Sequence, residues 1–300
     1  MMNFGSGLVR VNAVIPTHNR PELLPIAVDS VLGQEVPEGV TVRAVVVDDA
    51  SDPPASASLR EFGDSVLIVR NETSRGPAAA RNQGVSAADA DLVAFLDDDD
   101  RWLAGKIRTC LAGFQHHPDA VMVFHQVAFN WDRHDGPPSM SVVPDPVARM
   151  LHRQPPHLDG VMVPRHVHQS VLFDESFRAS EDLDYLLRIA LSGPVVELSS
   201  TLAVHSARAD HPSAISLASR IASRRQFRDK HAPLFDRKAK AYFDLRIGHQ
   251  YRRAGRSKSA SASFLRSLLR HPWWAPPWKG LVGLTLSDRR VQQIARTARR

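Results

Sequence analysis

Five short apolar runs rich in β-branched residues punctuate the first half of the chain: VNAVI (11–15), VRAVVV (42–47), VLIV (66–69), LVAFL (92–96) and AVMVF (120–124). Each is too short for a helix and nearly free of polar residues, the pattern of strands buried on both faces. Between them lie stretches with helical spacing: PELLPIAVDSVLGQ, the short SASLREF, GPAAARNQGVSAA and WLAGKIRTCLAGFQHH. Strands alternating with helical connections predict an α/β fold, a mostly parallel sheet with helices on both faces. Ligands in such sheets collect at the carboxyl ends of the strands.

The pattern then changes. Residues 130–160 are rich in Pro, His and Asp and predict a long irregular segment, which in a compact domain marks a functional loop. A short apolar VMVP, the stretch FDESFRAS and the helical EDLDYLLRIALSG follow, the last ended by Gly193 and Pro194. Residues 215–300 read as mostly helical, with turns at Ala254–Gly255 and His271–Pro272.

The strand ends carry the chemistry. The first strand runs into PTHNR (Pro16 to Arg20), the second into DDAS (Asp48 to Ser51) and the fourth into DDDD (Asp97 to Asp100). Three polar clusters at three strand termini converge on one side of the sheet. Four adjacent carboxylates repel one another and raise each other's pKa, so something must offset the charge. Mg²⁺ or Mn²⁺, held by one or two carboxylates and substrate phosphates, would do so. The plainer alternative is a solvated acidic turn capping a helix that begins near Trp102, with Asp100 at its N-cap.

Composition bounds the rest. With 43% hydrophobic and 23% charged residues, the 300-residue chain is globular, neither low-complexity nor collagen-like. The one cysteine, Cys110, excludes an internal disulfide framework and a Cys-rich zinc site, and fits a reducing, cytoplasmic compartment. No apolar run approaches the ~20 residues of a membrane span, and the opening MMNFGSGLVR lacks the apolar core of a secretory signal.

The net charge of +6 hides a division. Residues 1–214 carry 17 Lys and Arg against 28 Asp and Glu (−11), whereas residues 215–300 carry 21 against 4 (+17). Charge thus predicts an acidic body at 1–214 and a basic helical extension at 215–300. Trp273, Trp274 and Trp278 cluster within the extension. Basic helices with indoles suit an anionic membrane surface on the cytoplasmic side; the alternative is a helical cap on the acidic body. No nucleic-acid motif accompanies the charge.

Taken together, VNAVIPTHNRPELLPIAVDSVLGQ, VVVDDAS and NETSRGPAAARNQGVSAADADLVAFLDDDDRW resemble the family 2 glycosyltransferases of the GT-A fold, over roughly residues 9–214. The resemblance implies a nucleotide-binding half at about 9–110 and an acceptor half at about 111–214. It also implies inverting, metal-dependent transfer from a nucleoside-diphosphate sugar, UDP-linked by preference, to a hydroxyl acceptor such as a glycan or lipid-linked saccharide. It puts Pro16, Thr17 and Arg20 near the nucleotide and Asp49 at its base. Arg81 and Asn82 come to lie under the sugar nucleotide, the alternative for Arg81 being a structural ion pair with the acidic strand ends. Asp97 and Asp99 match the family's Asp-x-Asp motif, with Asp99 as the metal contact, Asp97 at a second metal-side position and Asp97 or Asp98 nearer the ribose. Asp182, opening the helix EDLDYLLRIA, corresponds to the catalytic base. Glu181 reads as a partner of the helix dipole, and Asp184 with Arg188 as a surface pair.

Among fourteen histidines, the resemblance favours His211 as a metal-side residue, with His205 as runner-up. His125, His134, His152, His157, His166 and His168 share no ligand spacing and are set aside. The second block departs from the family's Asp-Asp-Gly-Ser-x-Asp, reading DDASDP. Two rival readings are a non-catalytic sugar-nucleotide scaffold and a sugar-1-phosphate nucleotidyltransferase, against which PTHNR, lacking a Gly-rich loop, argues.

Overall fold

A computed structural model describes residues 8–129, 139–206, 215–273, 276–279 and 281. Contacts divide the chain into two compact units. One comprises Met1–Met150, Pro155–Phe177 and Glu181–Pro212, the other Leu151–Gln154, Arg178–Ser180 and Ser213–Arg300.

The first unit is built on one nine-stranded sheet. Strands β1 (Val9–Thr17), β2 (Val40–Asp49), β3 (Val66–Asn71) and β4 (Leu92–Phe95) form its parallel half, in the order β3-β2-β1-β4. These strands bury both faces: Val11, Ala13, Val14 and Ile15 of β1 are all 0% exposed. Helix α1 (Leu24–Leu32) lays Leu24, Ala27, Val28 and Val31 into the core beside Val11, Ala13 and Ile15. Helix α2 (Pro77–Ala87) takes the opposite face, where Gly84 meets Val14 and Val47. An added Cβ on Gly84 would lie 2.4 Å from Val14, so the close helix–sheet approach requires glycine. Helix α3 (Lys106–His116) returns to the α1 side through Ile107, Cys110 and Phe114.

The other half of the sheet is mixed. Strand β8 (Val161–Pro164) runs antiparallel to both β4 and β6 (Met122–Phe129), and β9 (Val195–His205) runs parallel to β6. The two-residue β5 (Arg101–Trp102) and the short β7 (Met140–Val142) pair antiparallel with β9. The expected parallel arrangement thus holds among the first four strands and between β6 and β9, and the other pairings are antiparallel. Trp102 is also in a strand, where a helix start was expected; α3 begins at Lys106 with Gly105 as N-cap, so Asp100 caps no helix. SASLREF forms 3-10 turns. Of the irregular 130–160 segment, residues 130–138 lie outside the described residues. The remainder holds β7, helix α4 (Pro146–His152) and a 3-10 turn at Leu158–Gly160. Helices α5 (Arg165–Val171) and α6 (Glu181–Ala190) complete the unit.

The second unit contains α7 (Leu217–Lys230), α8 (Arg237–Arg253) and α9 (Ser257–Arg270), and its turns fall at Ala254–Gly255 and after Arg270. Ser216 and Asp236 cap α7 and α8 by accepting backbone N–H bonds from Ser219 and Ala239. Phe227 stacks on Phe243 with ring centroids 5.3 Å apart, and Phe235 meets Phe243 edge-on at 4.7 Å. A second core joins Leu245, Ala260 and Phe264.

Candidate active site

The carboxyl ends of β1, β2 and β4 meet through hydrogen bonds between their loops. His18 Nδ1 lies 2.7 Å from the Asp49 carbonyl oxygen, the Asn19 N–H donates to Ser51 Oγ at 3.0 Å, and the Asp52 N–H donates to Asn19 Oδ1 at 2.8 Å. Thr17 Oγ1 donates to Asp98 Oδ2 at 2.7 Å, tying the first loop to the aspartate run. Ala50, in the loop after β2, adopts φ 64°, a conformation that favours glycine.

Three of the four aspartates of the run face an arginine. Asp97 receives Arg81 Nη2 at 2.7 Å; Asp98 and Asp99 share Arg20 Nη1, 2.7 Å from each. Asp100 accepts the Ser206 N–H at 2.7 Å and lies 2.8 Å from His205 Nδ1. The charge that the sequence alone seemed to leave to a metal is thus met at three of the four positions by two arginines. Burial pushes the Asp98 carboxyl up to about 6 against the opposing pull of Arg20 and Thr17.

Arg81 is buried between Asp97 and Glu181, 3.0 Å from the latter, and its guanidinium stands over the Phe173 ring. The ion-pair alternative for Arg81 is therefore present, and Glu181 is its second partner as well as a first-turn carboxylate. Asn82 holds the turn before α6: its Nδ2 donates to the Phe173 carbonyl at 3.0 Å, and its Oδ1 accepts the Phe173 N–H at 2.8 Å. Asp49 is committed too. Its carboxylate accepts from Asn71, Ser74 and the backbone N–H groups of Arg75 and Gly76, and these bonds hold it below the ordinary range although burial works the other way. Gly76 makes its contact at φ 86°, a glycine conformation. Pro16 is half-buried at the end of β1.

Asp184 is not a surface residue: it is 0% exposed and pairs with Arg188 at 2.7 Å. Asp182 differs from its neighbours. Half-buried in the first turn of α6, it accepts the Leu183 N–H at 2.7 Å, whereas Glu181 and Asp184 each face an arginine.

A second cluster adjoins the run. Ligand atoms of Asp100, His157, Asp159 and His205 lie within 4.8 Å of one another. Asp159 is fully buried; its Oδ1 accepts the Asp97 N–H at 2.9 Å and its Oδ2 lies 2.9 Å from His157 Nδ1. Burial and the adjoining Asp159 push Asp100 up to about 12, while His157 and Asp100 hold Asp159 low despite its burial. Against the effect of burial, Asp159 raises His157 to about 9. The pocket's two carboxylates and two imidazoles are donors that suit a divalent cation. Beneath it, the buried Lys106 donates to the Asp159 carbonyl and sits 3.8 Å from the Trp102 ring centroid.

Of the residues expected at a metal, Asp97 and Asp99 face arginines and are not in this group, while His211 lies outside the described residues. His205 is in it. His157 and Asp159 were not singled out from the sequence; the available signal was the His-x-Asp spacing of HLDG just before the apolar VMVP.

Comparison with known proteins accords with this geometry. The glycosyl transferase family 2 model matches residues 13–174, more than half the chain. A relative in Escherichia coli, UDP-Glc:alpha-D-GlcNAc-diphosphoundecaprenol beta-1,3-glucosyltransferase WfgD, is 33% identical over 98 residues, 32% of this chain and 38% of that protein. GalNAc(5)-diNAcBac-PP-undecaprenol beta-1,3-glucosyltransferase of Campylobacter jejuni is 31% identical over 106 residues, 34% of this chain and 33% of that one. The matched stretch spans about a third of the length of these curated relatives. In fold, S. aureus TarS 1-349, solved in complex with UDP-GlcNAc, superposes with a TM-score of 0.61 at 15% identity, covering 94% of this chain and 92% of that one. The α/β unit has the GT-A fold of such enzymes, followed by a helical C-terminal part. With its family match running from within β1, through the aspartate run, to the turn before α6, the chain belongs to glycosyl transferase family 2.

Proposed function

We propose that the chain transfers a glycosyl group from a UDP-sugar to a hydroxyl of a lipid-linked saccharide or glycan, with inversion and with help from Mn²⁺ or Mg²⁺. The observation that carries the reading is the contrast within the first turn of α6: Glu181 and Asp184 are occupied by arginines, and Asp182 is left as the half-exposed carboxylate there. Asp182 takes the proton of the acceptor hydroxyl as its oxygen bonds to the anomeric carbon. The bond from that carbon to the diphosphate oxygen breaks, and the nucleoside diphosphate leaves with the electron pair. Arg20, beside Asp98 and Asp99 at the end of β1, is the cation that meets the donor's phosphates. Asp100, Asp159, His157 and His205 would hold the divalent ion, which when bound stabilises negative charge on the leaving diphosphate. The donor class is supported by TarS, solved with UDP-GlcNAc, and the acceptor class by the two relatives named for undecaprenol-linked substrates.

The purified chain, given Mn²⁺, a panel of UDP-sugars and an undecaprenyl-diphosphate saccharide, is expected to release UDP. Asp182→Asn should bind UDP as the wild type does in a thermal-shift assay, while turnover falls by about 10²–10⁴-fold. Normal turnover in Asp182→Asn would remove the base, and a product that keeps the donor's anomeric configuration by NMR would remove inversion.

A further inference from the structure

The helical unit carries an apolar row that its own core does not use. In α9, the side that packs inward consists of Ala260, Ser263, Phe264, Ser267 and Leu268. Phe264 fits against Gly248 of α8, where a Cβ would lie 2.5 Å from its ring. Leu265 and Leu269, on the side turned away from that core, are 53% and 68% exposed, and Trp273, in the turn just past the end of α9, is 95% exposed. Trp278 adds another large exposed group, at 54%, with its indole N–H donating to the Pro272 carbonyl at 3.2 Å. Leu281 then packs with Tyr251 against Leu245, Ala260 and Phe264. The chain therefore returns to the core after Trp278 and leaves the indoles outside.

The surroundings of the row select its occupant. Lys258 lies on the same exposed side of α9, and Arg252, Arg253, Arg256 and Lys279 are exposed nearby in sequence. Arg266 and Arg270 flank the row and share Asp244. The whole stretch 215–300 carries 21 Lys and Arg against 4 Asp and Glu. A second copy of the chain would bring this cationic face against an identical one, which like charges oppose. An anionic bilayer offers both complements, headgroup phosphates for the cations and an interfacial zone in which indoles and leucines are buried.

We propose that Leu265, Leu269, Trp273 and Trp278 form a membrane-docking face that enters the interface of an anionic phospholipid bilayer, with the neighbouring Lys and Arg held by its headgroups. The inference is independent of the reaction proposed above, since docking uses no residue of the α/β unit.

The test is flotation of the full chain with vesicles of phosphatidylglycerol and phosphatidylcholine, and with vesicles of phosphatidylcholine alone. Partition into the anionic vesicles is expected to exceed that into the neutral ones by about tenfold or more and to fall with added salt. Tryptophan emission should shift to the blue on binding. Leu269→Glu/Trp273→Glu is expected to lose about tenfold or more of the partition, with an unchanged far-ultraviolet circular dichroism spectrum. Leu269→Ala provides a milder version should that pair fail to fold. Wild-type protein left in solution by anionic vesicles would overturn the proposal, as would undiminished binding by the folded variants. A wild-type dimer that the substitutions convert to monomer would also overturn it, in favour of a second copy. Hydrolysis of a UDP-sugar without vesicles should be equal in wild type and variants, which separates a failure of docking from a failure of the reaction.

Discussion

His168 is 1% exposed, with its Nδ1 2.9 Å from the Tyr185 hydroxyl and its ring among Phe95, Phe173 and Tyr185. Burial, with Arg165 and Arg188 adding to it, lowers its pKa to about 4 from 6.5. Below 6.5 the unfolded chain takes up a proton that the folded chain refuses. The stability that His168 contributes is therefore full above that pH and lost as pH falls toward 4, at about 1.4 kcal/mol per unit. Urea unfolding at pH 6.5 and 4.5 should show the wild type losing about 2 kcal/mol more than His168→Gln over that interval. An equal loss would mean that the ring is protonated in the fold. The sequence could not reveal this burial, because HVHQ has no distinctive pattern until α5 is packed on α6. The aspartate run shows the same limit. Its need for positive charge was plain in DDDD and an ion pair with Arg81 was among the readings, but Arg20 supplies its charge from 78 residues away, along a pairing that no local spacing encodes.

At the level of elements, the parallel strands and the helices between them were legible because continuous apolar runs and helical spacing are local properties. The antiparallel return of β8 was not, since a four-residue VMVP reads alike in either direction. Nor was β5, whose two residues become a strand only by pairing with β9. Helix α2 shows how an element places chemistry. Gly84 presses it onto β1 and β2, and Arg81, one turn earlier on the same helix, reaches Asp97 and Glu181. Gly84→Ala would set a methyl against Val14 and force α2 outward, at a cost of about 1–3 kcal/mol. Arg81 would shift with the helix, so UDP release should fall with stability. Val14→Ala makes room for the new methyl. In a denaturation cycle the double variant should be more stable than the sum of the two single changes implies, by about 0.5 kcal/mol or more. Strict additivity would show that the helix position is set elsewhere.

Across the whole molecule, charge and packing divide the chain differently. Charge puts the change near residue 215, whereas packing also assigns Leu151–Gln154 and Arg178–Ser180 to the helical unit. Composition averages over long stretches and is blind to a four-residue segment, which is why the sequence held these residues in the body. Within the helical unit, His152 Nε2 lies 3.0 Å from Asp236 Oδ1, Arg246 bonds Gln154, and Leu151 is 1% exposed. A chain cut after residue 214 keeps His152 and Gln154 but loses their polar partners, Asp236 at the N-cap of α8 and Arg246 within it. Burying one leucine is worth about 1.5–3 kcal/mol, and each kcal/mol moves the melting point of a domain this size by about 2–4 °C. The truncated protein should therefore melt about 3–12 °C below the full chain in calorimetry. It should also bind a hydrophobic dye that the full chain excludes from this segment. A melting point equal to that of the full chain would instead show that the body ends where its charge does, and that the segment from Leu151 to Gln154 draws no stability from the helices that follow.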